Sequence, residues 1–234
     1  MASLAVPGSA LARDRDHGGT PKEGASAAPS RLTMPILPAE PDLHPADLWD
    51  DPSTIPAKKT AARWWCLHAK PRQEKAVARD LRRGDLTYYL PQAAQETRTP
   101  KGRKVRSVVP LFPGYVFLHG DWDDRASALK GNRLVAVLKV DDQEALESDL
   151  RQIQRMLGSG LPIEAEPEIP AGSLVRIKEG PLAGLEGRVI KRLNGSHFVA
   201  AVRFLGRGAR VQLHDWEVEA LADPQATPTE ARSD

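Results

Sequence analysis

The chain has 234 residues, 41% of them hydrophobic, with a formal net charge of +2 and a single cysteine. That length accommodates two small domains, and one cysteine excludes an internal disulfide framework and any multi-thiolate metal site. No apolar run approaches the ~20 residues that a membrane-spanning helix needs.

Nine of the 20 prolines precede residue 60. A stretch so rich in Pro, Ala, Ser and Asp buries too little apolar surface to offset its ordering entropy, so residues 1–60 are expected to be disordered. The start has no basic n-region and Pro7-Gly8 interrupts its apolar run, so no secretory leader is expected; with the lone cysteine this fits a reducing cytoplasm. Within this extension Pro41–Asp51 stands apart, carrying Leu43, Leu48 and Trp49 among four acids. It reads as an inert tail or as a short peptide that folds on a partner. Charge is uneven: residues 1–60 hold 6 Lys/Arg against 8 Asp/Glu, whereas Arg63 to Arg155 hold 18 against 12. The basic stretch points to a polyanion or an acidic protein face.

Arg63-Trp-Trp-Cys-Leu-His-Ala69 is the first expected strand. Pro71 is expected to open a helix, with Val77 and Leu81 on one side and Arg72, Lys75, Arg79, Arg82 and Arg83 on the other. Gly84 is expected as a left-handed C-cap. Leu86–Leu90 reads as a short strand stopped by Pro91. Gln92 to Arg106 reads as a polar, basic connection turning at Pro100-Lys101-Gly102, with Arg98, Lys101, Arg103, Lys104 and Arg106 at a hairpin tip. Strands are expected over Val105–Val109 and Tyr115–Leu118, joined through Pro110-Leu-Phe-Pro-Gly114. Phe117 is expected in the core, and Phe112, in a Pro-flanked turn, is expected to be an exposed apolar anchor. Asp121 can cap a helix holding Trp122, Ala126 and Leu129. Leu134–Val140 is a further strand, and Asp141 with Glu144 resembles a capping box before the stripe Leu146, Leu150, Ile153 and Leu157. This order gives an α+β domain with helices packed on an antiparallel sheet.

Residues 158–170 look like an acidic Pro/Gly linker. Five short strands then follow near Leu174–Ile177, Gly187–Ile190, His197–Phe204, Ala209–Leu213 and Glu217–Leu221, with Asn194-Gly195 as a hairpin turn. They suggest a small closed barrel.

Trp64-Trp-Cys-Leu-His-Ala-Lys-Pro-Arg-Gln-Glu74 and Pro110-Leu-Phe-Pro-Gly-Tyr-Val-Phe117 resemble the two signatures of the NusG/RfaH N-terminal domain, and residues 171–222 are similar to a KOW domain. The resemblance implies an α+β fold: an RRM-like antiparallel sheet with helices over 61–157, a flexible linker over 158–170, and a small SH3-like β-barrel over 171–222. Disordered segments at 1–60 and 223–234 flank them. It implies a non-enzymatic transcription elongation and termination–antitermination factor without cofactor. Such a protein binds the RNA polymerase clamp, here through Phe112, Pro113, Gly114 and Tyr115, and reduces pausing. Lys70, Arg72, Lys75, Arg79, Arg82 and Arg83 would lie near upstream or non-template DNA. Leu182, Leu185, Phe204, Leu205, Gly206 and Arg207 would meet Rho or the ribosomal protein that doubles as NusE. Leu182 stands where the housekeeping protein commonly has an aromatic, which with the long extension favours an operon-specific paralogue. The competing expectation is a ribosome- or RNA-associated KOW protein. The chain is expected to be a monomer.

In RfaH-like proteins the second domain can refold as a helical hairpin. Seven glycines between Gly172 and Gly208 oppose this, each costing a helix ~1 kcal/mol against alanine. A permanent barrel is expected, checked by the absence of helical circular dichroism in the isolated C-terminal domain. No nucleophile, carboxylate pair or phosphate loop stands out, and the six histidines lack metal-ligand spacing.

Overall fold

The computed structural model describes residues 40–50, 61–98, 100, 102–193, 195–213 and 218–222. The remaining parts of the two expected disordered segments, together with Lys101 of the expected turn and Asn194 of the hairpin signal, lie outside the described residues. The first element nevertheless falls inside the expected disordered extension. Strand β1 (Leu43–His44) pairs antiparallel with β3 (Thr87–Tyr89), placing Leu43 opposite Tyr89. Leu48 is 2% exposed, and Trp49 makes an edge contact with Tyr89 at 4.8 Å. The prolines that suggested disorder are compatible with a two-residue edge strand, which needs few ladder hydrogen bonds. Segment 40–50 is thus a strap on its own domain.

The central strand β2 (Arg63–Ala69) pairs with β6 (Tyr115–Gly120) on one side and β7 (Leu134–Lys139) on the other, giving the antiparallel order β1-β3-β6-β2-β7. Alternation along β2 sends Trp65, Leu67 and Ala69 to one face and Trp64 and Cys66 to the other. The first face is covered by α1 (Glu74–Arg83) through Val77, Ala78 and Leu81, with Ala128 of α2 (Trp122–Leu129) packed alongside. The second is covered by α3 (Gln143–Gly158) through Leu146, Leu150, Ile153 and Met156. Cys66 is fully buried, and burial pushes its thiol up to about 12. Since the thiolate is the reactive form, alkylation at pH 8 is expected only on unfolding, detectable as iodoacetamide labelling that tracks the denaturation curve.

Several local signals resolve differently from expectation. Pro71 does not start α1: Arg72 adopts a left-handed φ of 61°, so the helix begins after Gln73, and Arg72 sits just ahead of the helical stripe. Gly84 is the C-cap but at φ −86°; the left-handed residue is Asp85 at 53°. Gln92 to Arg106 is mostly strand, because β4 (Gln92–Arg98) and β5 (Lys104–Pro110) form a separate two-stranded hairpin. Asp121 caps α2 through a capping box with Asp124, as its position suggests. For α3 the cap is Asp142, which accepts from the Ala145 amide, one residue beyond the expected Asp141.

The C-terminal half is a six-stranded antiparallel sheet, in the order β13-β9-β10-β11-β12-β8. It comprises β9 (Ser173–Ile177), β10 (Glu186–Arg192), β11 (Gly195–Val202), β12 (Arg207–Gln212) and β13 (Val218–Ala220). The sixth, β8 (Glu164–Glu166), comes from the expected linker and pairs with β12. That stretch is not free chain, because Arg210 bridges Glu164 and Glu166, and Arg192 reaches Glu166 at 2.9 Å. Gly187 lies where β10 approaches β11: a Cβ there would stand 2.7 Å from the Phe198 ring and closer still to the Val199 carbonyl oxygen.

The sheet packs on α3. Asp149, on the inner side of α3, accepts from the backbone amide of Arg203 at 2.9 Å and from its guanidinium at 3.0 Å. Arg155 donates to Ala183 O at 2.7 Å, and Gln152 accepts from the Glu186 amide at 2.9 Å. Leu150 and Phe198 belong to one apolar cluster that continues from the first domain into the second.

Candidate functional site

The Leu111–Tyr115 corner between β5 and β6 is fixed from several directions. Leu111 donates its amide to Pro91 O at 2.8 Å, and Tyr115 donates to Phe112 O at 3.1 Å. Gly114 holds φ +89°, a conformation that L side chains rarely adopt. Its amide donates to Glu74 Oε1 at 2.8 Å, and its carbonyl accepts from the Ala69 amide at 2.8 Å. Glu74 is itself buried at the start of α1, so the helix and the corner are locked together.

Phe112 is 1% exposed, which overturns the expectation of an exposed anchor: the turn tucks its ring into the cluster with Phe117 and Leu150. Tyr115 is half-buried at the rim. His68 stacks on its ring at 5.2 Å, and the Arg207 guanidinium lies over it at 5.4 Å. Two sets of residues singled out separately in the sequence therefore meet: Tyr115 from the first domain and Arg207 from the second. Leu182 and Leu185, 1% and 0% exposed, serve the core and present no surface to a partner. Phe204 is 37% exposed beside the partly buried Leu205, on a short 3-10 turn ending at Gly206, φ +64°.

The basic residues form a separate region. Arg82 and Arg83 are exposed on the last turn of α1, and Arg72 is exposed before it. Lys75 donates to Val108 O. Arg79 and Arg82 both pair with the buried Glu40 of the strap, at 3.2 and 2.9 Å. Lys70 donates to Asn132 O at 2.8 Å, away from that stripe. Sequence reasoning missed Glu40, Glu74, Asp149 and Arg203. Asp149 carried a usable signal, being a charge set between Leu146, Leu150 and Ile153 on an apolar stripe.

Among the described residues no group of His, Cys, Asp or Glu could hold a metal ion, and no helix is long and apolar enough to cross a membrane.

The fold and the corner define a sheet-rich α+β protein whose first domain presents a rigid Pro-Gly turn beside a basic helix. Residues 62–166 match the family model described as transcription termination factor nusG, so that stretch is a domain of the NusG family. This is a non-enzymatic family of transcription elongation and termination–antitermination factors that generally bind RNA polymerase. Among solved structures, one of Thermotoga maritima NusG, titled "Domain interaction in Thermotoga maritima NusG", is 19% identical. The match covers 69% of this chain and 98% of that one at a TM-score of 0.39, too low to bear on how the two halves are arranged here. No curated protein matches the chain.

Proposed function

We propose that this chain grips the RNA polymerase clamp with its first domain, reduces pausing, and recruits a second factor through a KOW domain of SH3-like barrel type. The observation that carries the proposal is Tyr115, a rim aromatic on a turn held by Glu74, Ala69 and Pro91. Half-buried aromatics on rigid supports are the usual anchors of protein interfaces. Pro113 and Gly114 shape that anchor, and Phe112 supports it from below. Lys70, Arg72, Lys75, Arg79, Arg82 and Arg83 supply cations for the phosphates of nearby DNA, a contact without sequence readout.

Phe204, Leu205, Gly206 and Arg207 form the recruiting loop for Rho or the ribosomal protein that doubles as NusE, with Leu182 and Leu185 acting from within the core. The Arg207 guanidinium lies over the Tyr115 ring at 5.4 Å, so on this reading the recruiting loop covers the polymerase anchor. Engagement of the clamp then requires that contact, worth about 0.5–2 kcal/mol, to open first. On the same reading the protein is a cytoplasmic monomer, and the long N-terminal extension together with Leu182 in place of an aromatic favours an operon-restricted paralogue.

The test is Tyr115→Ala. Folding should be preserved, while affinity for core polymerase should fall about 30-fold, as expected for an interface hot spot. A folded variant with unchanged polymerase binding sinks the assignment. Recovery of ribosomal subunits in place of polymerase on affinity purification would support the RNA-associated alternative. Chromatin occupancy confined to a few operons would support the specialised role.

A further inference from the structure

Of the five cations on and just before the first helix, two face a carboxylate delivered from 39 or more residues away in sequence. Glu40 is 5% exposed, and its side chain meets Arg79 Nε at 3.2 Å and Arg82 Nη2 at 2.9 Å. A buried carboxylate needs such partners, because unpaired it would lose its hydration without compensation. The two arginines stay accessible, with side chains 30% and 43% exposed, so they remain on the surface while their charge is engaged.

Glu40 is held in place by the strap rather than by the arginines alone. Its backbone oxygen accepts from Gln92 Nε2 at 2.8 Å, and the next residue, Pro41, accepts from the Tyr88 hydroxyl at 3.1 Å. Asp42 O accepts from the Leu90 amide at 2.7 Å. Further along, Leu48 is buried and Trp49 lies on Tyr89 and Trp64. The other acids facing this helix do not do the same job. Asp80 pairs chiefly with Arg133 at 2.8 Å and only loosely with Arg83 at 3.6 Å, and Asp85 pairs with His44. Burial raises the Asp42 carboxyl above its ordinary value, with Gln92 and Lys75 pulling the other way.

We propose that Glu40 is a specificity-determining residue of the nucleic-acid face: its single negative charge offsets one of the two positive charges of Arg79 and Arg82, so that this pair attracts phosphates less than Arg72, Lys75 and Arg83 do. This rests on the assignment of the α1 stripe as the nucleic-acid face made above. The consequence is a deliberately weakened polyanion contact. Every phosphate bound releases counterions, so offsetting one of the paired charges lowers both affinity and its dependence on salt. A weak, non-specific DNA contact leaves the choice of target to the protein–protein grip at Tyr115, whereas a fully cationic helix would hold any duplex.

The experiment measures binding of the full chain to a fluorescent DNA duplex by polarisation across a salt series. Glu40→Gln should steepen the plot of log affinity against log salt by about 0.9 and tighten binding roughly tenfold at low salt. The gain should vanish when Arg79→Ala and Arg82→Ala are added. Glu40→Asp keeps the charge and should retain the wild-type slope. Exchange protection of the Leu90 amide reports whether the strap is still seated. The inference is overturned if Glu40→Gln leaves the slope unchanged while Arg72→Ala with Lys75→Ala lowers it; the nucleic-acid face then stands without a charge gate. It is also overturned if Glu40→Asp behaves like Glu40→Gln, because displacement of the strap and not charge would then be responsible. If neither set of variants alters DNA binding, the assignment of the helix to nucleic acid falls first.

Discussion

Replacing Arg203 with alanine is expected to loosen the C-terminal sheet from α3 at a cost of about 2–3 kcal/mol. The reason is the asymmetry of the pair. Asp149 has only 4% of its side chain exposed, whereas Arg203 has 61%. Removing the guanidinium leaves a buried carboxylate with the Arg203 backbone amide as its remaining donor from that pair. Breaking a buried ion pair typically costs about 3–5 kcal/mol, and the solvent reaching Arg203 argues for less. Asp149→Ala should cost less than Arg203→Ala, since the stranded partner would be an accessible arginine. Urea unfolding of both variants checks the order, and the reverse order would mean that the guanidinium packs more than it pairs.

The same contact sets a pH dependence. Burial holds the Asp149 carboxyl above its ordinary value of 3.8, and the Arg203 hydrogen bonds pull down without cancelling the shift. A carboxyl raised in the folded state contributes stability that is fully present below its unfolded value and is lost as pH rises through the folded one. Without the guanidinium the shift grows. The deficit of Arg203→Ala should therefore be largest near neutrality and shrink on acidification towards 3.8. A deficit that grew towards acid pH would show that the carboxylate is stabilised in the fold by something other than Arg203.

The second large effect is Phe112→Ala, expected to destabilise the protein by about 3–5 kcal/mol, the range for truncating a fully buried aromatic. Its ring is 1% exposed, in the same cluster as Phe117 and Leu150. Tyr115→Ala should cost far less in stability, because Tyr115 is only half-buried and its stacking partners are the His68 ring and the Arg207 guanidinium. Thermal unfolding of the two variants separates support from contact. If Phe112→Ala melts like the wild type, the corner is plastic and cannot present Tyr115 rigidly.

Much of the first domain was legible because its signals are local. Asp121 caps α2 by reaching amides two and three residues away, and the Leu146, Leu150 and Ile153 stripe needs only the helical period. The alternation that sets Trp65 apart from Cys66 needs only the strand period. Local signals failed where a neighbour's conformation took over. Arg72 and Asp85, not Gly84, carry the left-handed turns around α1, so the helix starts later than Pro71 suggested. The corner string Leu-Phe-Pro-Gly-Tyr was visible, but which aromatic faces outward was not, since that depends on what packs over the turn.

The sequence by itself determined the α+β pattern, the helix stripes, the short C-terminal strands and the motifs that carry the family. These follow from interactions between residues a few positions apart, which a linear pattern records. Only the tertiary structure decided that a proline-rich segment would return to β3 and set Glu40 on Arg79 and Arg82, that Glu164–Glu166 would join the C-terminal sheet, and that Arg207 would lie on Tyr115. Each of those contacts joins residues about 40 or more positions apart. Their geometry exists only after the apolar faces have packed, so neither composition nor periodicity could announce them.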